Sequence, residues 1–191
     1  MTKEVSIVWF RQDLRLSDNP ALSEALAHGK ILPIYIFDDC APTPFKIGEA
    51  SKIWLHHSLN NLNAALNRKL NIYAGKAGEV IKSIIEKHAV SNVYYNSCYE
   101  PWHIKQEQEI QEICNEKNIN YKSFNSNYLW GSKQILKNDE TYYKVFTAYK
   151  KKSHQQNPRK AIKKPTKINA IKDSKNKLSI ADLKLIPSDK K

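Results

Sequence analysis

The sequence predicts an α/β fold, a Rossmann-like three-layer sandwich around a five-stranded parallel sheet, followed by an extended basic linker. Three observations support this prediction. Short β-branched and aromatic runs alternate with helical patterns along the chain, as expected of parallel strands joined by helices. The first run, Val5–Phe10, is largely apolar on both faces, which is typical of a strand buried on both sides. The excess positive charge is confined to the last quarter of the chain.

The first predicted strand ends in a charged loop, "RQDLR", which a helix follows. Asn19 can cap that helix and Pro20 suits its first position, so the two residues form a helix start signal. The loop therefore lies at the carboxyl end of a parallel strand, where open α/β sheets bind their ligands. The five predicted strands are Glu4–Phe10, Ile31–Phe37, Asn71–Ala74, Asn92–Asn96 and Asn120–Phe124.

Helical periodicity fills the intervals between the strands. Four leucines spaced at i, i+4, i+7 and i+11 predict a helix from about Glu49 to Arg68. A second apolar stripe runs from Val80 to His88, and a weaker one follows Pro101. After Thr147 the pattern dissolves into lysine, asparagine and proline. This divides the chain into an α/β domain of residues 1–147 and a linker of residues 148–191, whose last apolar residues suffice to dock on a surface.

Composition excludes several classes of protein. No apolar stretch approaches the roughly 20 residues that span a bilayer, and the chain starts with a strand, which indicates no signal or transit peptide. Three widely spaced cysteines without a CxxC pair predict a reduced, cytoplasmic protein without structural zinc or disulfides. The five glycines form neither a GxGxxG motif nor a phosphate-binding loop.

The net charge of +12 belongs to the end of the chain. Residues 1–143 contain 16 Lys and Arg against 16 acidic residues, whereas residues 144–191 contain 15 against 3. The body is therefore neutral and the tail is strongly basic. Such a tail is consistent either with binding to DNA phosphates or with a solvated, flexible linker.

Few side chains outside the core carry a functional signal. Arg11, Asp13 and Arg15 either pin their loop by internal ion pairs or anchor a ligand or a neighbouring domain. Glu100 follows the fourth strand at the same edge, where its carboxylate can accept hydrogen bonds from a heterocycle or pair with an arginine. His56-His57 is expected to be structural or solvated, because adjacent helical residues do not converge on a metal. The four tryptophans are expected mostly to pack in the core or at its rim.

The sequence resembles the DNA photolyase/cryptochrome family. "WFRQDLRLSDNPAL" resembles the family signature W-F-R-x-D-L-R-x-x-D-N-x-A-L, and "GEASKIWLHHSLNNLNAAL" is similar to its G-x-A-S-x-x-W-L-H-x-S-L-x-x-L helix. In the same order, "ILPIYIFD" looks like the second strand, "VYYNSCYEPW" like the N-x-x-Y-E-P segment and "YYKVFTAYKK" like Y-K-V-F-T-P-F, with Ala148 where proline is usual. "LSIADLKLIP" is similar to the close of the interdomain linker. The resemblance covers nearly all of the chain.

The resemblance implies a two-domain flavoprotein. In many members an α/β domain holds a light-harvesting antenna chromophore, and a larger helical domain after it binds FAD and damaged DNA. Excited reduced flavin donates an electron to a flipped-out pyrimidine dimer, splits it and recovers the electron. This chain resembles the antenna domain and linker, so FAD and catalysis are expected to belong to a helical domain outside it. It is then expected to be inactive as a lyase on its own, with no catalytic or metal-binding residues.

The resemblance implies an antenna chromophore of the methenyltetrahydrofolate, deazaflavin or FMN type, without fixing which. Folate-type members carry an Asn-Glu pair where Trp102 and His103 stand here, and deazaflavin-type members an acid and an arginine near the positions of Cys98 and Ser51. The expected cleft residues are Arg11, Phe37, Asp38, Glu49, Ser51, Cys98, Glu100, Trp102 and His103.

Two alternatives to a photolyase antenna domain remain. One is a cryptochrome-type light-signalling module, whose distinguishing features would lie in the helical domain. The other is a stand-alone basic nucleic-acid-binding protein, against which the neutral body counts. The expected partners are the helical FAD domain, damaged DNA through that domain and weak, non-specific DNA contact by the tail, with no membrane.

Overall fold

A computed structural model describes residues 5–131 and 133–186 and contains one five-stranded sheet. The strand order is β3-β2-β1-β4-β5, and every neighbouring pair is parallel. This confirms the predicted fold class. The strands are β1 (Val5–Phe10), β2 (Lys30–Phe37), β3 (Asn71–Ala74), β4 (Val90–Asn96) and β5 (Asn120–Phe124).

All five predicted strands form, with small differences at their starts. Glu4, the predicted first residue of β1, lies outside the described residues. Strand β2 begins one residue earlier than predicted and β4 two residues earlier. The additional residue Val90 is apolar and buried, and it pairs with Val5 of β1.

Helices cover both faces of the sheet and complete the three layers. On one face, α1 and α2 bury leucines such as Leu22, Leu59 and Leu62 against β1 and β2. On the other face, α3 and α4 bury isoleucines such as Ile81 and Ile110. The helices are α1 (Pro20–Ala27), α2 (Glu49–Ala65), α3 (Ala77–Lys87), α4 (Pro101–Glu116) and α5 (Phe146–Ser153), and a 3-10 turn covers Ala181–Leu183.

The helix ends confirm one prediction and correct another. The Asn19 side chain accepts a hydrogen bond from the Leu22 N–H at 3.0 Å, so Asn19 caps α1 as predicted. Helix α2 ends at Ala65 and not near Arg68, because Asn67 and Arg68 adopt left-handed backbone conformations with φ of 52° and 60°.

The structure also corrects the description of the chain after Thr147. Helix α5 crosses the predicted domain boundary, because the apolar and lysine-rich run that starts at Phe146 forms two helical turns. The chain after it, residues 154–186, is called the C-terminal segment below. It is not a freely solvated tail, since Ala170, Ile180 and Leu185 are buried in the core on the α1/α2 face.

The C-terminal segment is fastened to the amino-terminal edge of the sheet. Ile31 exchanges backbone hydrogen bonds with Asn169 and Ile171 at 3.0 and 2.9 Å, beside a part of β2 that β3 does not reach. Farther along, the Asp173 N–H donates to the side chain of Asn71. None of the helices in the described part of the chain is both long and apolar enough to cross a membrane.

Candidate ligand-binding cleft

A cleft of about 660 Å³ opens at the carboxyl ends of the strands. The loops after β1, β2 and β4 form its floor and two of its sides, and the first turns of α2 form a third. The strand order reverses direction between β1 and β4, because the chain first builds outward to β3 and then returns to the other side of β1. Ligands of open α/β sheets bind at such a switch point.

Arg11 is buried beneath the cleft and is fully engaged. Its guanidinium forms an ion pair with Glu107 of α4, approaches the side-chain oxygen of Gln106 at 3.4 Å and lies 4.4 Å from the centre of the Trp9 ring. Glu107 also accepts the Cys98 N–H at 2.9 Å. The ion pair therefore ties the loops after β1 and β4 to α4, and Arg11 has little capacity left for an anionic ligand.

Asp13 holds the β1 loop through amides and not through an arginine. The carboxylate is 2% exposed and accepts hydrogen bonds from the Arg11 backbone N–H at 3.0 Å, from Asn19 at 3.1 Å and from Asn96. Of the two roles considered for this loop, an internal ion pair of Asp13 with Arg11 or Arg15 is therefore not among the contacts of the described residues. Arg15 instead bonds to Ser126 on the far side of the loop.

Glu100 places a carboxylate at the mouth of the cleft. One of its oxygens, Oε1, accepts a hydrogen bond of 3.0 Å from the Gln12 side chain, whereas Oε2 is buried and has no hydrogen-bond partner. Burial by itself raises the pKa of Glu100, but the hydrogen bond from Gln12 and the positive charges of Arg11 and, at acidic pH, of His103 outweigh it, and the net pKa is lowered. The group is therefore ionised at neutral pH.

A short hydrogen-bonded chain of His103, Gln106 and Asp38 forms another part of the cleft lining. His103 Nδ1 lies 2.9 Å from the Gln106 oxygen, whose amide nitrogen donates to Asp38 at 2.7 Å. Asp38 also accepts the N–H of Ala77 at the start of α3. Burial lowers the pKa of His103 against the opposing effect of Gln106, so the imidazole is neutral at pH 7 and donates from Nδ1.

Aromatic rings form most of the remaining lining. Phe45 and Trp102 stack with their ring centres 5.5 Å apart, and Tyr35 and Phe37 extend the apolar wall at the end of β2. Trp54, on α2, is 77% exposed although it is one of three tryptophans that line the site. An exposed tryptophan over a concave apolar surface is typical of a binding site and not of a packed core.

Seven of the nine expected cleft residues line the cleft, and two do not. Glu49 is exposed on the first turn of α2 and is not among the residues that line the cleft. Cys98 is buried behind the β4 loop, where its backbone N–H and not its thiol makes the contact with Glu107. Burial raises the pKa of the Cys98 thiol to about 11. The seven that line it are Arg11, Phe37, Asp38, Ser51, Glu100, Trp102 and His103.

Sequence reasoning missed three residues of the site. Trp54 stands in a motif that the sequence contains, but a packing role was expected of most tryptophans. Gln106 and Glu107 lie five and six residues after Pro101 in a weakly periodic helix, and only the need of a buried arginine for a partner could have indicated them. Among the described residues, no group of three or more His, Cys, Asp or Glu side chains could hold a metal ion.

Fold and cleft together define a Rossmann-like ligand-binding domain. The family model of DNA photolyase matches residues 6–167. The chain therefore belongs to the DNA photolyase family, which also contains the cryptochromes it resembles, and it corresponds to the amino-terminal domain. It is 28% identical to a deoxyribodipyrimidine photo-lyase of Agrobacterium fabrum over 95% of this chain and 38% of the relative. It is 31% identical to Arabidopsis thaliana cryptochrome-2 over 77% of this chain and 25% of the relative.

Solved structures agree with this assignment. A bacterial class III photolyase from Agrobacterium tumefaciens superposes with a TM-score of 0.89 at 27% identity, covering 98% of this chain and 39% of that protein. An archaeal photolyase from Sulfolobus tokodaii, described with two FAD molecules and a novel light-harvesting cofactor, has the same fold with a TM-score of 0.80 at 24% identity, over 95% of this chain and 41% of its own. The chain thus spans about two fifths of the length of these relatives.

Proposed function

We propose that the cleft binds a planar heteroaromatic chromophore and that this domain serves as the light-harvesting antenna of a deoxyribodipyrimidine photolyase. The main observation in support is the cleft, which has a volume of about 660 Å³ and lies at the switch point of the sheet. Aromatic side chains line it, namely Phe37, Phe45, Trp54 and Trp102. Its volume lies within the roughly 300–1,000 Å³ of small-molecule sites, and aromatic walls favour a flat ring system that stacks on them.

The residues present fit such a chromophore. Trp54 would cover one face of the ring, the stacked pair Phe45 and Trp102 would border it, and Glu100 would meet a polar edge. A bound chromophore would absorb light and pass the excitation to a flavin held by a helical domain. The tasks of this chain are to bind and orient the ring and to exclude water from it. Methenyltetrahydrofolate, deazaflavin and FMN are the candidate chromophores.

Repair of DNA is the function that we propose for the whole protein. The photolyase relative from Agrobacterium fabrum aligns with 95% of this chain, and the cryptochrome relative aligns with 77%. The match to the photolyase family supports this proposal, and a cryptochrome-type light-signalling module is the alternative. FAD and damaged DNA would then be bound by a helical domain that packs on this one. The three free cysteines support a reducing, cytoplasmic compartment.

A binding titration tests the antenna role. Purified protein is mixed with riboflavin, FMN, FAD, a deazaflavin or methenyltetrahydrofolate, and quenching of tryptophan fluorescence reports binding. Trp54→Ala should weaken the binding of the preferred compound about tenfold or more, since loss of a stacked aromatic contact costs on the order of 1–3 kcal/mol. Phe146→Ala, at an equally exposed aromatic residue outside the cleft, should leave it unchanged. Absence of binding by every compound would refute the antenna role.

A second role is favoured by the charge of α5 and the start of the C-terminal segment. Residues 144–167 contain nine Lys and Arg and no acidic residue. Among the described residues only Arg159 of these nine has a carboxylate partner, Asp18. We propose that this stretch contacts the phosphates of nucleic acid without regard to sequence. Replacing the lysines of 150–152 by glutamate should weaken DNA binding and flatten its dependence on salt concentration. The matched control replaces Lys76, Lys117 and Lys122, which lie outside this stretch, by glutamate.

A further inference from the structure

A histidine at the opposite end of the sheet from the cleft has a buried ring nitrogen without a hydrogen bond. His88 follows directly after α3, and its Nε2 atom has no hydrogen-bond partner among the described residues. This atom lies 3.4 Å from Oδ2 of Asp173, whose side chain is only 5% exposed. Buried polar atoms in folded proteins are nearly always hydrogen-bonded, so an unpaired ring nitrogen beside a buried carboxylate calls for an explanation.

Asp173 is one of the residues that fasten the C-terminal segment to β3. Its backbone N–H donates to the side chain of Asn71 at 2.7 Å, and its Oδ2 atom accepts the hydroxyl of Tyr73 at 2.9 Å. Three residues further on, the side chain of Asn176 donates to the Ile72 carbonyl at 2.6 Å. Any change at Asp173 therefore acts directly on the attachment of this segment to the sheet.

The charge of His88 affects how strongly this attachment holds. A protonated imidazole brings a charged N–H to the carboxylate, whereas a neutral imidazole brings an uncharged N–H or a lone pair. The His88 side chain is 22% exposed, so it can exchange a proton with solvent. The other charged groups on the two chains that meet here are Lys87 and Lys172, and the ammonium of Lys172 donates to a backbone carbonyl at 2.7 Å. Their positive charges oppose protonation of His88, and the nearer, buried carboxylate of Asp173 favours it.

We propose that His88 and Asp173 form a pH-dependent latch, which holds the C-terminal segment on β3 most tightly when His88 is protonated and Asp173 is ionised. Carboxylates ordinarily titrate near pH 4 and histidines near pH 6.5, so both conditions are met at about pH 5–6. As pH rises through neutrality His88 loses its proton and the ion pair is lost, and below about pH 4 Asp173 becomes neutral. The segment should therefore loosen on either side of this range. The inference does not depend on either of the proposed functions.

Hydrogen exchange of the full chain tests the latch. Exchange is followed at the N–H groups of Ile171 and Asp173, which bond to Ile31 and Asn71, and is corrected for the intrinsic effect of pH on the exchange rate. Between about pH 5.5 and about pH 8 the protection of both amides should fall about threefold or more, the size expected of one ion pair near the surface. The amide of Val93, in the centre of the sheet, should change less, because it opens only with the core. The NMR signals of the His88 ring should titrate over the same range.

Three variants complete the experiment. His88→Gln keeps a side-chain N–H₂ group but does not titrate, so protection of the Ile171 amide should no longer depend on pH in this range. Asp173→Asn should also abolish the dependence and should lower the protection at both pH values. His154→Gln, at an exposed histidine directly after α5, is the matched control and should keep the dependence. Equal protection of the wild type at the two pH values, or a pH dependence that persists in His88→Gln, would overturn the inference.

Discussion

Replacing Asp13 by alanine should destabilise the domain strongly, and the structure gives the size of the effect. The carboxylate is buried and accepts three hydrogen bonds, from the Arg11 backbone and from the side chains of Asn19 and Asn96. The side-chain amide nitrogens of Asn19 and Asn96 each keep one other acceptor, but the Arg11 N–H loses the acceptor described for it. A hydrogen bond to a charged group contributes roughly 1.5–3 kcal/mol, so the loss of three, with two of the donors keeping another acceptor, should cost roughly 3–5 kcal/mol.

Thermal unfolding measures this loss. For a chain of this length, 1 kcal/mol lowers the melting temperature by about 2–4 °C, so Asp13→Ala should lower it by roughly 10 °C. Asp13→Asn keeps the shape but turns an amide N–H₂ toward the amides of Asn19 and Asn96, and should cost at least about 1 kcal/mol. Glu86→Ala, which removes a surface ion pair with Lys117, is the control and should change stability by at most about 0.5 kcal/mol.

The outcome that refutes this reasoning is a melting temperature for Asp13→Ala within about 2 °C of the wild type. Such a result would mean that water satisfies the freed donors and that the loop is not held by its amide network. Chromophore titration of the same variant separates the two roles of the loop. Because Asp13 is absent from the cleft lining, folded Asp13→Ala protein should bind with nearly wild-type affinity below its melting temperature.

Three further predictions concern other parts of the molecule. Burial raises the pKa of Asp173, but hydrogen bonds from the Lys175 N–H and the Tyr73 hydroxyl outweigh it and the net pKa is lowered. The ionised Asp173 therefore contributes to folding stability above its unfolded pKa of about 3.9, and this contribution is lost as pH falls through the folded pKa. The melting temperatures of wild type and Asp173→Asn should accordingly converge below about pH 4. Gly78→Ala should leave stability unchanged or raise it by up to about 1 kcal/mol, because alanine is the better helix former and the added Cβ meets only the flexible end of Glu109; a loss of more than about 2 °C in melting temperature would contradict this. Burial raises the pKa of Cys98 to about 11, so mass spectrometry after alkylation of the native protein at about pH 8 should find this thiol unmodified, since the thiolate is the reactive form.

The sequence was sufficient to predict the frame of the domain. Strands buried on both faces read as continuous apolar runs, and Asn19-Pro20 is a local signal, so neither depends on distant contacts. Position at the carboxyl edge of a parallel sheet was enough to predict Glu100 at the cleft, whereas His103 was indicated by the family resemblance. The helix that starts at Phe146 was missed because three consecutive lysines resemble solvated linker, although lysine is a good helix former.

Side-chain partners across the fold could not be predicted in the same way. The ion pair of Arg11 with Glu107 joins residues 96 positions apart, and the sequence offers many acids at comparable distance. Cys98 lies only two residues before the cleft residue Glu100 in the sequence, but its side chain is buried and does not line the cleft. Such details depend on rotamers and on loop geometry, which local patterns do not encode.

The structure separates the residues that hold the cleft from those that face it. In the loop after β1, the buried side chains of Asp13 and Arg11 have hydrogen-bond partners and stabilise the fold. Among the residues that line the cleft, Trp54 exposes most of its surface and Glu100 keeps an oxygen without a hydrogen-bond partner. Both features cost stability in the free protein. Natural proteins keep such costs where function requires them. Substitutions of Asp13 should therefore lower the melting temperature at unchanged affinity per folded molecule, and substitutions of Trp54 and Glu100 should weaken ligand binding while preserving or raising the melting temperature.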